Sequence, residues 1–135
     1  YWAWDPVENA AFMPWLVATA FLHSVMVQER RGMLKVWNMV LVIMTFSLCL
    51  FGTFLTRSGI IASVHAFEEN AFLSQLFGVV LLVVFAASVA LMVWRWRLFR
   101  DEKEFVSLAS RDFLFFIMNV VFTAFALAVL FATGE

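Results

Sequence analysis

Four long stretches of the 135-residue chain contain no Asp, Glu, Lys or Arg. An α-helix rises about 1.5 Å per residue, so about 20 residues cross a hydrocarbon layer about 30 Å thick. The apolar runs do not alternate with polar residues as the strands of a membrane barrel do. The sequence therefore predicts an all-α, polytopic membrane protein with four transmembrane helices, which we place at residues 10–28, 36–56, 71–94 and 113–134.

The composition excludes several other classes of protein. Hydrophobic residues make up 64% of the chain and charged residues 14%, whereas a soluble domain has about 45–50% and about 25%. Disordered segments are polar and poor in aromatic residues, which this chain is not. The net charge of -1 argues against binding nucleic acid through a basic face. The single cysteine, Cys49, leaves no disulfide and no C-x-x-C pair.

The charged residues between the four stretches predict the orientation in the membrane. Eight basic residues lie in the connections at residues 29–35 and 95–112, and only Arg57 lies on the opposite side. Basic residues favour the inner side of a membrane. We therefore expect residues 95–112 to form an inner connector. Both chain ends and an outer loop at residues 57–70 would then face the periplasm of a bacterium or the intermembrane space of a mitochondrion.

The first residues predict a rigid aromatic segment in front of a capped helix. Asp5 is a favoured N-cap residue, a proline follows it at the first helical position, and Glu8 stands at the third. Trp2 and Trp4 precede this helix start with alternate spacing. The rings form either an aromatic belt at headgroup depth or a flat platform for a planar apolar ligand. Pro14 marks where a short outer interfacial helix is expected to bend into the first span.

Two histidines and one arginine are further candidates for ligand binding. His23 lies inside the first span, where an ionisable side chain is costly. It is an axial ligand of a haem iron, a neutral histidine bonded to a neighbouring helix, or one that reaches towards the inner surface. His65 in the outer loop is either solvated or a haem ligand. Arg57 pairs with a haem propionate, a lipid headgroup or nearby carboxylates.

The depth of the two histidines separates them. His23 lies about fourteen residues of helix, roughly 21 Å, below the outer end of its span, whereas His65 lies on the outer side. One iron cannot bind both side chains. If each histidine binds haem, the sequence predicts two haem sites.

Residues across the first half of the chain resemble a known family. Residues 2–10 read WAWDPVENA and residues 12–16 read FMPWL, which is similar to the tryptophan-rich WWD domain of haem-handling membrane proteins. The Asp-Pro-Val-Glu-Asn form resembles its cytochrome c-type biogenesis branch, the CcmF family. Beyond residue 68 the resemblance depends mainly on hydropathy. Before that it continues through LHS at 22–24, ERRG at 29–32, TFSL at 45–48, GTFLTRSG at 52–59 and SVHAF at 63–67.

The resemblance implies a haem lyase of cytochrome c maturation, with residues 1–15 as the haem-binding segment. Such a protein receives haem from a haem chaperone and joins its vinyl groups to the cysteine thiols of a C-x-x-C-H apocytochrome c. The catalytic residues implied are Trp2, Trp4, Asp5 and Glu8, with both tryptophans stacked on the porphyrin. His65 would bind the iron of the transferred haem.

The resemblance also implies a second, permanent haem b, whose iron His23 would bind and which would reduce the transferred haem with electrons from quinol. Partners are then the haem chaperone, apocytochrome c and its thiol-handling proteins, and membrane lipid, with no nucleic acid. The implied location is the bacterial inner membrane, as a multi-pass protein with a periplasmic active face, or the mitochondrial inner membrane.

Other functions stay open from the sequence. The chain could belong to a related WWD protein that exports haem or loads it onto a chaperone, or to a haem lyase dedicated to one unusual cytochrome. It could also be a non-catalytic segment of a transporter or scaffold with merely interfacial tryptophans. The first residue is Tyr1 and falls inside the tryptophan cluster, so we expect a fragment of a longer protein.

Overall fold

The computed structural model describes residues 1–59, 70–99 and 111–133. Over these residues the chain forms four α-helices and a short 3₁₀ turn at Trp96–Phe99, with no β-strand. Each α-helix is long and apolar enough to cross a membrane. The prediction of an all-α polytopic membrane protein with four spans is confirmed. The helices are α1 (Pro6–Arg31), α2 (Lys35–Ser58), α3 (Ala71–Trp94) and α4 (Arg111–Thr133).

Polar and glycine residues between the apolar stretches set the helix ends. The N-cap of α1 is Asp5, as predicted. The same helix ends at Gly32, which takes the left-handed conformation (φ 70°) and donates its N–H to the Gln28 carbonyl at 2.7 Å. Asn70 caps α3, because its side-chain oxygen accepts the N–H of Leu73 at 3.1 Å.

The central helix is α1, which runs antiparallel to both α2 and α4. At one end of the bundle Asn9 on α1 donates to the hydroxyl of Thr133 on α4 at 3.1 Å. At the other end Arg31 forms an ion pair with Asp112, with 2.8 Å between nitrogen and oxygen. The start of α1 therefore lies beside the end of α4, and the end of α1 beside the start of α4.

The bundle has two chemically different ends. We call the end that holds the start of α1 and the ends of α2 and α4 the tryptophan end, after Trp2 and Trp4. The opposite end is the basic end, after Arg31, Lys35 and Arg95. Among the described helices α3 packs mainly against α2, and none of its residues is buried.

The apolar core lies between α1, α2 and α4. In lipid, helices associate through close packing and buried polar contacts rather than through a hydrophobic driving force. α1 supplies the largest share of the buried side chains, which is consistent with its central position. The buried apolar residues of the described chain are Ala10, Met13, Leu16, Val17, Ala20, Val27, Met33, Leu34, Leu41, Leu55, Ala126 and Val129.

Pro14 does not separate an interfacial helix from the first span. α1 is one element from Pro6 to Arg31, and the residues expected to form a short outer interfacial helix are its first turns. Proline has no backbone N–H, so it cannot donate to the carbonyl of Ala10 four residues earlier. That carbonyl faces α2 at Gly52, where a Cβ would lie 3.3 Å from its oxygen. A glycine on α2 therefore allows a close approach of the two helices at the gap in the hydrogen-bond ladder of α1.

Candidate functional site

A reciprocal capping box holds the residues before α1. The carboxylate of Asp5 accepts the N–H of Val7 at 3.1 Å and also bonds to the N3 backbone. The Oε2 atom of Glu8 accepts the N–H of Asp5 at 3.3 Å and the N–H of Ala3 at 2.9 Å. Asp5 and Glu8 therefore fix the backbone on both sides of Trp4.

Asn9 ties the same segment to α4. Its Nδ2 group donates to the Trp4 carbonyl at 3.2 Å and to the Thr133 hydroxyl at 3.1 Å, and its side chain is buried. Trp4 itself has a φ of 58°. This left-handed conformation costs a residue with a Cβ about 1–2 kcal/mol. The hydrogen bond that Asn9 donates to the Trp4 carbonyl and the two that Glu8 accepts from backbone amides hold the chain in this conformation.

The two tryptophans do not form the flat platform that the sequence suggested. The indole rings of Trp2 and Trp4 meet edge to face, with centroids 6.0 Å apart and planes at 89°. Phe12 of α1 packs against both rings, at 5.7 Å from Trp2 and 6.1 Å from Trp4. The near-parallel pair is instead Phe12 and Trp15, at 5.7 Å and 16°. The alternate spacing of Trp2 and Trp4 could not predict this ring arrangement, because the positive φ of Trp4 turns the backbone at that residue.

Much of this aromatic surface is open in the described chain. Trp2, Trp4 and Trp15 are 48%, 56% and 58% exposed, and Phe12 packs against Phe125 of α4 at 5.9 Å. We call Trp2, Trp4, Phe12 and Trp15 the aromatic cluster. In a membrane helix bundle such an exposed aromatic surface is either an interfacial belt at headgroup depth or a surface for a planar apolar ligand.

Arg57 also lies at the tryptophan end of the bundle, whereas His65 falls outside the described residues. Arg57 is in the last turn of α2 and is half-buried. The proposed role of His65 as a haem ligand, and its position relative to the aromatic cluster, stay predictions. The structure thus brings together Trp2, Trp4, Asp5 and Glu8 from the sequence-derived set.

His23 lies eight residues after Trp15 of the aromatic cluster, about 12 Å along the helix axis, and further still from the start of α1. It is 17 residues after Pro6 on one helix, which is about 26 Å along the axis. Its Nδ1 atom lies 2.8 Å from the Thr19 carbonyl oxygen. A carbonyl can only accept, so Nδ1 carries a proton, and in the neutral imidazole Nε2 then has the free lone pair. Phe115 and Phe122 of α4 flank the ring at 6.0 and 6.1 Å.

No group of three His, Cys, Asp or Glu side chains lies close enough to hold a metal ion in the described ranges. A site built only from protein ligands is therefore not formed by these residues. A single imidazole such as His23 suits an iron whose other ligands come from a macrocycle.

Sequence reasoning missed three residues of the site. Asn9 was overlooked because asparagine inside a first turn is common, although its position directly after the capping box was the available signal. Phe12 and Trp15 are one helical turn apart, three residues, so both belong to one face of α1. That spacing could have predicted that they extend the aromatic surface of the preceding segment.

Comparisons with known proteins identify relatives along the whole chain. The profile of the cytochrome C assembly protein family matches residues 1–62. CcmF, a cytochrome c-type biogenesis protein of Escherichia coli, is 44% identical over 98% of this chain and 20% of its own length. CycK of Bradyrhizobium diazoefficiens, with the same description, is 43% identical over the same shares. The probable cytochrome c-type biogenesis protein NrfE of Escherichia coli is 43% identical over 98% of this chain and 24% of its own.

These matches extend the resemblance beyond the first half, where the sequence motifs had placed it. The chain spans about a fifth of the length of the curated relatives it matches. No solved structure matches the chain.

Proposed function

Because this chain belongs to the cytochrome c-type biogenesis family, we propose that its tryptophan end binds haem as a substrate for covalent attachment to apocytochrome c. The observation that carries the proposal is the aromatic cluster, whose tryptophans are exposed although the backbone around Trp4 is held by two N–H groups that donate to Glu8 and by Asn9, which donates to the Trp4 carbonyl. A porphyrin is flat and apolar on both faces and carries two propionates at one edge. Aromatic rings suit its faces and an arginine suits its edge.

The two tryptophans support haem in a different way from a flat platform. Since their planes are perpendicular, one indole can stack on the porphyrin while the other contacts its edge. Asp5 and Glu8 bond to backbone amides, so in this proposal they are positioning residues. Arg57, at the same end of the bundle, would pair with a propionate, and His65 would bind the iron on the outer side.

In this reaction the main task of the protein is to orient the thiol and the vinyl group relative to each other. In thioether formation the sulfur of a cysteine bonds to one carbon of a haem vinyl group, its proton goes to the other carbon, and the double bond becomes single. No group leaves and no electron is consumed in the addition itself. Holding the vinyl group against the thiol converts an encounter of two molecules into a reaction within one complex, which lowers the entropic part of the barrier.

His23 fits the axial ligand of a second, permanent haem b. Its Nδ1–H is fixed by the Thr19 carbonyl, which orients the ring and leaves Nε2 for a metal. Bound haem would supply one-electron reduction of the transferred haem iron. His23 would hold and orient the iron, with Phe115 and Phe122 of α4 flanking the imidazole at 6.0 and 6.1 Å.

The decisive experiment removes the aromatic cluster in the intact protein. Trp2→Ala and Trp4→Ala should lower the amount of haem retained and the yield of a reporter c-type cytochrome. Trp94→Ala is the matched control, because Trp94 is an exposed tryptophan (75%) at the basic end. If Trp94→Ala has the same effect, or if the two outer variants retain haem normally, the rings are only an aromatic belt.

A second measurement separates attachment from haem export or chaperone loading. His65→Ala should abolish maturation of the reporter if His65 binds the iron of the transferred haem. A variant that still exports haem but makes no thioether bonds supports attachment. Normal maturation in His65→Ala contradicts the ligand role.

A further inference from the structure

Buried polar side chains interrupt the apolar core of the bundle. One group of buried apolar side chains includes Ala20 of α1, and another includes Val27. Ser24 lies between them on the same face of α1 and is 0% exposed. Asn119 of α4 is also 0% exposed, and Trp37 of α2 packs against both apolar groups. Each of the three helices thus contributes one polar side chain, and we call these three, together with Thr123 one turn after Asn119, the polar layer.

The register of the antiparallel helices α1 and α4 places two members of the polar layer at the same level. Asn9 meets Thr133 at the tryptophan end, and an ion pair joins the same two helices at the basic end. Ser24 is fifteen residues after Asn9, and Asn119 is fourteen residues before Thr133. The Trp37 ring lies 6.2 Å from the phenylalanine one turn before Asn119. The polar layer is therefore one region between α1, α2 and α4.

The polar atoms of this layer have no hydrogen-bond partner among the described residues. They are the hydroxyls of Ser24 and Thr123, the Nε1 atom of Trp37 and the Oδ1 atom of Asn119. The Nδ2 group of Asn119 donates to the Phe115 carbonyl at 2.8 Å, so its Oδ1 atom is the acceptor that remains.

The two hydroxyls of the polar layer differ from other hydroxyls in the spans. Thr19, Thr45 and Thr133 each donate to the carbonyl four residues earlier, at 2.7–2.8 Å. Ser24 and Thr123 do not, although a serine or threonine inside a helix can make this bond. Their hydroxyls therefore remain for a ligand between the helices.

The donors and acceptors of the polar layer select its ligand. The indole N–H of Trp37 can only donate, and the amide oxygen of Asn119 can only accept. An anion cannot donate to the oxygen and a metal cation cannot accept from the N–H, whereas water does both. No charged side chain is buried in the described part of the chain, so none would balance an ion in this layer.

Unpaired buried polar atoms are costly, and a buried water typically makes about three hydrogen bonds to such atoms. We propose that internal water binds in the polar layer, where it accepts from Trp37 and donates to Asn119 and Ser24. Ser24 and Asn119 are already fully buried, so a segment outside this chain cannot reach them instead.

The inference does not depend on either proposed haem site, because it uses only contacts within the bundle. It does change the surroundings of one of them. The layer lies at the depth of His23, since Phe115 and Phe122, which flank the His23 ring, precede and follow Asn119 by one turn each. Internal water would therefore make the bundle interior beside this histidine more polar than its apolar neighbours suggest.

The test uses X-ray hydroxyl-radical labelling of the intact protein in nanodiscs, with mass spectrometry as the readout. Irradiation converts bound water into hydroxyl radicals, which oxidise the nearest side chains. We expect oxidation of Trp37 in the wild type and loss of most of it in Asn119→Leu, which keeps the volume but removes the acceptor. Thr45→Val is the matched control and should leave this oxidation unchanged, because the Thr45 hydroxyl already bonds to the Leu41 carbonyl.

A second measurement uses the sign of a change in stability. If the Ser24 hydroxyl bonds to water, Ser24→Ala should lower the ratio of folded to unfolded protein roughly threefold, the average for a hydrogen bond between membrane helices. If that hydroxyl is unpaired, its removal should raise the ratio, which overturns the proposal. The same follows if Trp37 is not oxidised in the wild type, if Asn119→Leu is oxidised as much as the wild type, or if Thr45→Val loses as much oxidation as Asn119→Leu.

Discussion

Replacing Asn9 by alanine tests whether the left-handed conformation of Trp4 matters for haem. Asn9 donates to the Trp4 carbonyl at 3.2 Å and to Thr133 at 3.1 Å. A neutral hydrogen bond contributes about 0.5–1.5 kcal/mol net, and the φ of 58° at Trp4 costs about 1–2 kcal/mol. The lost bond is therefore comparable in size to the strain that it helps to offset.

The expected loss follows from these magnitudes. Weakening the observed conformation by about 1 kcal/mol lowers its population relative to alternatives roughly fivefold. Haem retention by Asn9→Ala in the intact protein should fall by a similar factor, measured as haem absorbance per protein. The yield of a reporter c-type cytochrome should fall with it.

Two comparison variants make the result specific. Thr133→Val removes the bond from Asn9 to α4 and the bond from the Thr133 hydroxyl to the Val129 carbonyl, but it keeps the bond from Asn9 to Trp4, so it should leave haem retention nearly unchanged. Asn38→Ala removes an equally buried asparagine (4% exposed) at the basic end and controls for general destabilisation. If Asn9→Ala and Thr133→Val lower haem retention equally, the effect comes from helix packing, and the reasoning about Trp4 is refuted.

Three further predictions concern other parts of the structure. Glu8→Gln keeps one acceptor oxygen for the amides before α1, whereas Glu8→Ala keeps none. Haem retention should therefore decrease from the wild type to Glu8→Gln and further to Glu8→Ala. Equal retention in all three proteins would contradict a positioning role for Glu8. His23→Ala should remove the absorbance of the permanent haem b while the outer haem remains, and a surviving haem b spectrum would exclude His23 as its ligand. Gly52→Val should lower the free energy of unfolding by about 1–3 kcal/mol, because the new side chain would overpack the close contact between α2 and the backbone of α1. Gly78→Val is the control: its side chain would meet only the flexible ring of Phe54 at 3.5 Å, so the free energy of unfolding should change little.

The spans and the start of α1 could be predicted from the sequence because their signals are local. A charge-free stretch of sufficient length needs no knowledge of its neighbours to be assigned to a membrane helix. The capping box likewise depends on residues three apart, and Asp5 and Glu8 occupy the predicted roles.

The shape of the candidate site could not be predicted because it depends on distant contacts and one unusual dihedral angle. Nothing in the order of Trp2 and Trp4 shows that the second takes a positive φ, which turns the two rings perpendicular. The partner of Asn9 lies 124 residues away in the chain. Apolar spans carry little information about which helices are neighbours, since lipid and protein contacts favour the same side chains.

Because α1 is one continuous helix, it fixes the angle and the distance between the two candidate haem sites. Asn9 and His23 are fourteen residues apart, which is about 40° short of four full turns, and both contact α4. Inserting one residue between them would rotate His23 by about 100° away from Phe115 and shift it by about 1.5 Å. An insertion of four residues would nearly restore the angle but move His23 by about 6 Å. The number of residues between Asn9 and His23 therefore matters as much as the side chains themselves, because any insertion changes the angle or the distance between the two sites.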